Sequence, residues 1–128
     1  MINGYCQLDL TKELSDFEGI TEVSDYSKQI TGEKAEEIFN ILLLKKPFYL
    51  LIPDNPNGSK DILIMNWISD YGRDSSGHRS LEVHFSATLL ADSTEGRLVY
   101  IKMSNAYDQD GELFIDISAF AFPIGGQH

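Results

Sequence analysis

The chain has 128 residues, 20 acidic and 10 basic, for a formal charge of −10 at 42% hydrophobic content. That length fits one domain around one buried core, so residues 1–128 are expected to fold as a single unit. The negative field excludes direct recognition of nucleic acid, which needs lysine and arginine to displace condensed counterions, and disfavours an anionic membrane surface for the same reason.

Cys6 is the lone cysteine, so no internal disulfide forms, and a reducing compartment is expected. The first ten residues carry neither the basic start nor the apolar stretch of a signal peptide, and no later apolar run approaches the roughly 20 residues of a membrane helix. A cytoplasmic location follows as the expectation. Asn57-Gly58-Ser59 matches a glycosylation triplet, but in such a chain it reads as a turn.

Residues 1–40 hold nine carboxylates against three lysines, and no low-complexity tract separates them from the rest. Tyr5 to Leu10 reads as a strand, while Leu10, Leu14 and Phe17 have helical spacing with Asp9 as a cap and Gly19 as a stop; both readings stay open. Residues 20–30 have no decisive period. The clearest helix is 32–45, with Thr31 as N-cap, Glu33, Glu36 and Glu37 in the early turns, Lys45 and Lys46 at the far end, and Pro47 as the stop. Ala35, Ile38, Phe39, Leu42 and Leu43 form its apolar stripe.

After Pro47 the period changes from 3.6 to 2. Strands are expected at Phe48–Ile52, Ile62–Ile68, Leu81–Leu89, Leu98–Asn105 and Leu113–Phe122, with turn chemistry at Pro53–Ser59 and a tight turn at Asp110-Gly111. Short connections favour sequential antiparallel pairing. The expected fold is therefore α+β: an antiparallel meander of about five strands with one amphipathic helix packed on a face.

No motif signals a cofactor, a metal site or a catalytic group. His78, His84 and His128 lack metal-ligand spacing. His84, among Glu82, Ser86 and Thr88, reads as a polar residue of a solvated strand face before a general base beside a carboxylate. The loop Asp70–Ser80 holds serine, histidine and aspartate without a strand-turn-helix elbow. Aligning Gly111 with the glycine of a calcium loop puts Ala106 and Ile117 where carboxylates are required, so that reading fails. The glycines near Gly58 and at Gly125-Gly126 do not resemble phosphate loops, and Cys6 has no basic neighbour to activate it.

In a meander, alternate loops gather at one end of the sheet. The 70–80 loop and the 106–111 turn should lie side by side, which nominates Asp70, Tyr71, Asp74, Tyr107, Asp108 and Asp110 as a partner-binding cluster of carboxylates and aromatic anchors. Asp54, Asn55, Asn57, Asp92 and Glu95 should gather at the other end. The leading expectation is a non-enzymatic acidic binding protein that neutralises a basic partner such as a nuclease, in the manner of immunity proteins and antitoxins, an analogy of size and charge. The alternative is a ligand-binding or enzymatic domain with an aromatic pocket built from Trp67, His84, Tyr100, Phe114, Asp116 and Phe120, joined by Phe122, or a homodimer through that face.

Overall fold

The structure, a computed structural model, describes residues 6–15, 25–53, 60–90 and 96–124. Within these residues the chain forms β1 (Cys6–Asp9), β2 (Asp25–Thr31), α1 (Gly32–Leu44), β3 (Phe48–Pro53), β4 (Lys60–Arg73), β5 (Arg79–Leu90), β6 (Gly96–Tyr107) and β7 (Leu113–Ile124). The strands make one sheet in the order β1-β3-β4-β5-β6-β7-β2.

Strands β3 to β7 are the expected antiparallel neighbours in chain order. The expectation of a simple five-stranded antiparallel meander is nonetheless corrected. β1 adds to one side by pairing in parallel with β3, and β2 adds antiparallel to β7 at the other, so the described sheet has seven strands and is mixed. β2 escaped notice because an edge strand covers little: among residues 26–31 only Ile30 is buried, so no alternation shows in the sequence.

Both readings of the N-terminus are partly realised. Leu8 sits in β1, and the parallel pairing continues as the Leu10 N–H donates to the Leu51 carbonyl at 2.9 Å. Asp9 then ends the strand: its Oδ1 accepts from the Thr11 N–H at 2.9 Å and from Thr11 Oγ1 at 2.6 Å. The chain makes one turn, with the Leu14 N–H donating to Leu10 at 2.8 Å, and this buries Leu10 and Leu14 together. Phe17 and Gly19 lie outside the described residues, as do the 54–59 turn and Asp92 and Glu95.

α1 runs as its stripe requires, with Ala35, Ile38 and Leu42 buried and Phe39 and Leu43 packed against the core from its margin. Thr31 occupies the N-cap position in extended backbone but makes no side-chain cap hydrogen bond, a correction to its expected role, because it is also the last residue of β2. At the other end Lys45 turns left-handed at φ 57°, its N–H donating to Leu42 at 3.0 Å, and Pro47 precludes continuation.

The helix covers one face of the sheet, where Leu50, Ile52, Leu63, Val83, Phe85, Ile101, Met103, Ile115 and Ile117 are buried with it. Phe48 and Phe85 meet edge-to-face, with centroids 5.3 Å apart. The second face carries Ile64, Trp67, His84, Tyr100, Lys102 and Ser118 by register. Among the described residues no helix is long and apolar enough to cross a membrane.

Candidate functional site

The β4–β5 and β6–β7 hairpins carry the same turn, written as Asp74-Ser75-Ser76-Gly77-His78 and as Asp108-Gln109-Asp110-Gly111-Glu112. In each, the aspartate N–H donates to the carbonyl four residues on (His78 or Glu112, both 3.0 Å), and the glycine N–H donates back to the aspartate carbonyl (3.0 and 2.9 Å). Gly77 and Gly111 take φ values of 84° and 80°, the left-handed step that closes a three-residue hairpin loop. Asp110-Gly111 is thus not the central pair of a two-residue turn, as its dipeptide suggested.

The aspartate side chains lock these turns. Asp74 Oδ1 accepts from the N–H groups of Ser76 (2.8 Å) and His78 (3.1 Å), and Asp108 Oδ1 accepts from those of Asp110 (2.8 Å) and Glu112 (2.9 Å). The His78 N–H, followed by that of Ser76, holds the Asp74 carboxyl below its ordinary pKa. His78 also stacks on Tyr107 with centroids 3.9 Å apart and planes 15° from parallel. The hairpins flank an open polar cleft of about 450 Å³ lined by Asp74, Ser76, His78, Tyr107, Asp108 and Gln109, among others. The two loops therefore do gather at one end.

Three of the six nominated partner residues, Asp74, Tyr107 and Asp108, line this cleft, and Asp110 is exposed in the same turn. Asp70 and Tyr71 are not part of its lining. Asp70 pairs with buried Leu81 in the ladder, on the helix side, and is met by Lys45 Nζ at 2.6 Å and Arg79 Nη2 at 2.5 Å, with the Gly72 N–H at 2.9 Å. Arg79, then Lys45 and the Gly72 N–H, hold its carboxyl well below the usual carboxylate range. This carboxylate is committed to joining α1, β4 and β5 and is not offered outward as a partner-binding charge. Tyr71 is exposed on β4.

On the second face, two of the other pocket candidates, Trp67 and Tyr100, meet His84, and Glu82 joins them. The His84 ring stacks on Trp67 (centroids 4.3 Å, 21°), its Nε2 lies 2.7 Å from Glu82 Oε2, and its Nδ1 contacts the Tyr100 hydroxyl. His84 is only 8% exposed, which corrects the expectation of a solvated strand residue. A β-bulge between Met65 and Trp67 sets the indole opposite it. Burial, and then the Glu82 charge, raise the Tyr100 phenol above its ordinary pKa, while the Glu82 carboxylate, which can only accept, faces His84 Nε2. A phenol held neutral is a poor nucleophile. What this chain achieves is orientation: it fixes an indole that remains half exposed.

Of the other pocket candidates, Phe114 and Asp116 share the face without joining this contact. Asp116 pairs with Ser104, Phe114 with Ala106, and Phe120 with Tyr100 through the backbone; the side chains of Phe120 and Phe122 lie outside the described residues. Among the described residues no group of histidines, cysteines and carboxylates is placed to hold a metal ion.

Two structural residues were missed in the sequence. Asn105 is buried and stitches β6 to the start of β5, its Oδ1 accepting from the Leu81 N–H at 2.7 Å and its Nδ2 donating to the Arg79 carbonyl at 2.8 Å. Glu82 was noticed only as a neighbour of His84. The signal for Asn105 was a polar residue at the end of the alternating apolar run Val99, Ile101, Met103. Comparison with family models, with curated proteins and with solved structures finds no match to this chain.

Proposed function

We propose that the protein is a non-enzymatic binding protein that engages a basic protein partner through the acidic end formed by the β4–β5 and β6–β7 hairpins. The observation that supports this reading is the pair of Asp-locked turns beside one polar cleft, with Asp110 and Glu112 exposed next to it. Asp74 and Asp108 are held by backbone N–H groups, so little ordering remains to be done on binding. The overall charge of −10 speeds encounter with a cationic surface. A nuclease or another protein whose own surface is shaped for phosphate has the matching chemistry, and a cytoplasmic inhibitor of the immunity or antitoxin kind is the form of function that fits.

The experiment is capture on the immobilised chain at low salt, identification of what is held, and binding of that purified protein to the wild type and to an Asp110→Lys, Glu112→Lys variant. Association should slow about tenfold or more on charge reversal, and fall steeply with added salt. Binding indifferent to both would refute the reading.

A further inference from the structure

The free side of β4 has a different character from the acidic end. β3 pairs only with Lys60–Ile64, and from Met65 to Arg73 no described strand pairs with β4 on that side, whereas β5 pairs with it on the other. The gap opens where α1 ends, since the chain enters β3 only after Lys45, Lys46 and Pro47. A strand edge of this length is a template for another backbone unless something blunts it. Proline and short length are absent here; the bulges at Met65/Trp67 and Asp70/Arg73 are what modulate it.

Large exposed apolar side chains concentrate along this strand. Ile64 is 60% exposed, Trp67 49% and Tyr71 65%, and Leu44, at the end of α1, is 62% exposed. Trp67 is already oriented by its stack on His84, which makes it a preorganised anchor. Along the edge Asp70 is already matched by Lys45 and Arg79, and the charges left exposed there, Lys46 and Arg73, are cations in a chain of net charge −10.

The geometry points to β-strand addition at this edge: an extended segment of a partner protein, alternating apolar and acidic residues, pairs with β4 between Met65 and Arg73 in line with β3. Its backbone takes up the ladder that no described strand fills, its apolar side chains lie against Ile64 and Trp67, and its carboxylates meet Lys46 and Arg73. Charge complementarity selects this occupant. A second copy of the chain offers the same mixed edge, with its Asp70 already matched by Lys45 and Arg79, and so brings no surplus of carboxylates to Lys46 and Arg73. The surface reaches the base of the β4–β5 hairpin without including the Asp108–Glu112 turn, and takes a partner of the opposite sign.

The test uses the full chain and two fluorescein-labelled peptides, Glu-Val-Glu-Ile-Glu-Phe-Glu and the same sequence with every Glu replaced by Lys, in anisotropy titrations at low salt. On the Asp110→Lys, Glu112→Lys variant, whose hairpin end no longer attracts the Lys peptide, the Glu peptide should bind at least tenfold tighter than the Lys peptide and shift Trp67 emission. N-methylation of its alternate amides should abolish binding, and Lys46→Glu and Tyr71→Ser should each weaken it about tenfold. Both substitutions sit at exposed positions, and circular dichroism checks that each variant is folded. Asp110→Lys with Glu112→Lys should leave binding of the Glu peptide unchanged, which separates this surface from the hairpin end. Equal binding of the two peptides, no binding of either, tolerance of N-methylation, or concentration-dependent dimerisation that blocks the peptide would each overturn the proposal.

Discussion

At the scale of single residues, the polar groups near the ends of β4 and β5 do more for the fold than their sequence context announces. Asn105 satisfies the Leu81 N–H and shares the Arg79 carbonyl with the Tyr107 hydroxyl, so Asn105→Ala strands the Leu81 N–H at the edge of the core. The expected cost is about 1–3 kcal/mol, the penalty for one buried unsatisfied group, read as a lower urea midpoint with an unchanged slope. Asp70 acts through charge. Its carboxyl is held below the ordinary range by Arg79, Lys45 and the Gly72 N–H, so in the unfolded chain it takes up a proton at higher pH than in the folded one. The stability it supplies is therefore complete above the unfolded carboxylate range, near pH 4, and drains away as pH falls below it. Urea unfolding measured from pH 7 to pH 2 should show a shallower acid loss for Asp70→Asn than for the wild type. An unchanged acid slope would remove Asp70 from the account.

At the scale of elements, legibility followed burial. α1 and the meander strands were readable because Ala35, Ile38 and Leu42, or Val83 and Phe85, repeat an apolar contact at a fixed period. β2 was not, because at the sheet edge only Ile30 is buried among residues 26–31 and a period needs at least two marks. The site shows the same division. Adjacency of the two hairpins followed from topology, but the withdrawal of Asp70 into a pair with Lys45 and Arg79 depends on where α1 ends, which no local pattern encodes. Likewise the parity of β5 placed His84 on the second face, while its burial depends on a bulge in another strand. Caps and turns make the contrast measurable. Thr31→Ala should change stability by less than about 0.5 kcal/mol, because no cap hydrogen bond is there to lose, where a working cap costs about 1 kcal/mol. Gly111→Ala should cost about 1–2 kcal/mol although nothing lies within 4 Å of the added carbon, since the cost is the left-handed backbone itself. Gly111→Asn should recover part of that loss in the same thermal unfolding series, because asparagine tolerates this region best among the other residues.

At the scale of the whole molecule, the charge of −10 is unevenly used. Asp70 is consumed by two cations, Asp74 and Asp108 by their own turns, and Glu82 by His84, all in holding the fold together. Asp110 and Glu112 are exposed in a turn whose backbone is locked by Asp108, so the hairpin keeps its shape whatever their side chains are. Carboxylates in that position add repulsion to an already anionic molecule, and the fold gives no reason to keep them. Replacing both with lysine moves the net charge four units toward zero, and the fold should respond by unfolding at the same or a higher urea concentration in low salt, with the difference fading as salt screens the repulsion. The same variant is the one expected to lose the basic partner. Gain or retention of stability together with loss of binding identifies a surface maintained for recognition at the expense of stability. A variant that is destabilised at low salt would mean instead that these carboxylates serve the fold, and the acidic end would lose its standing as a binding surface.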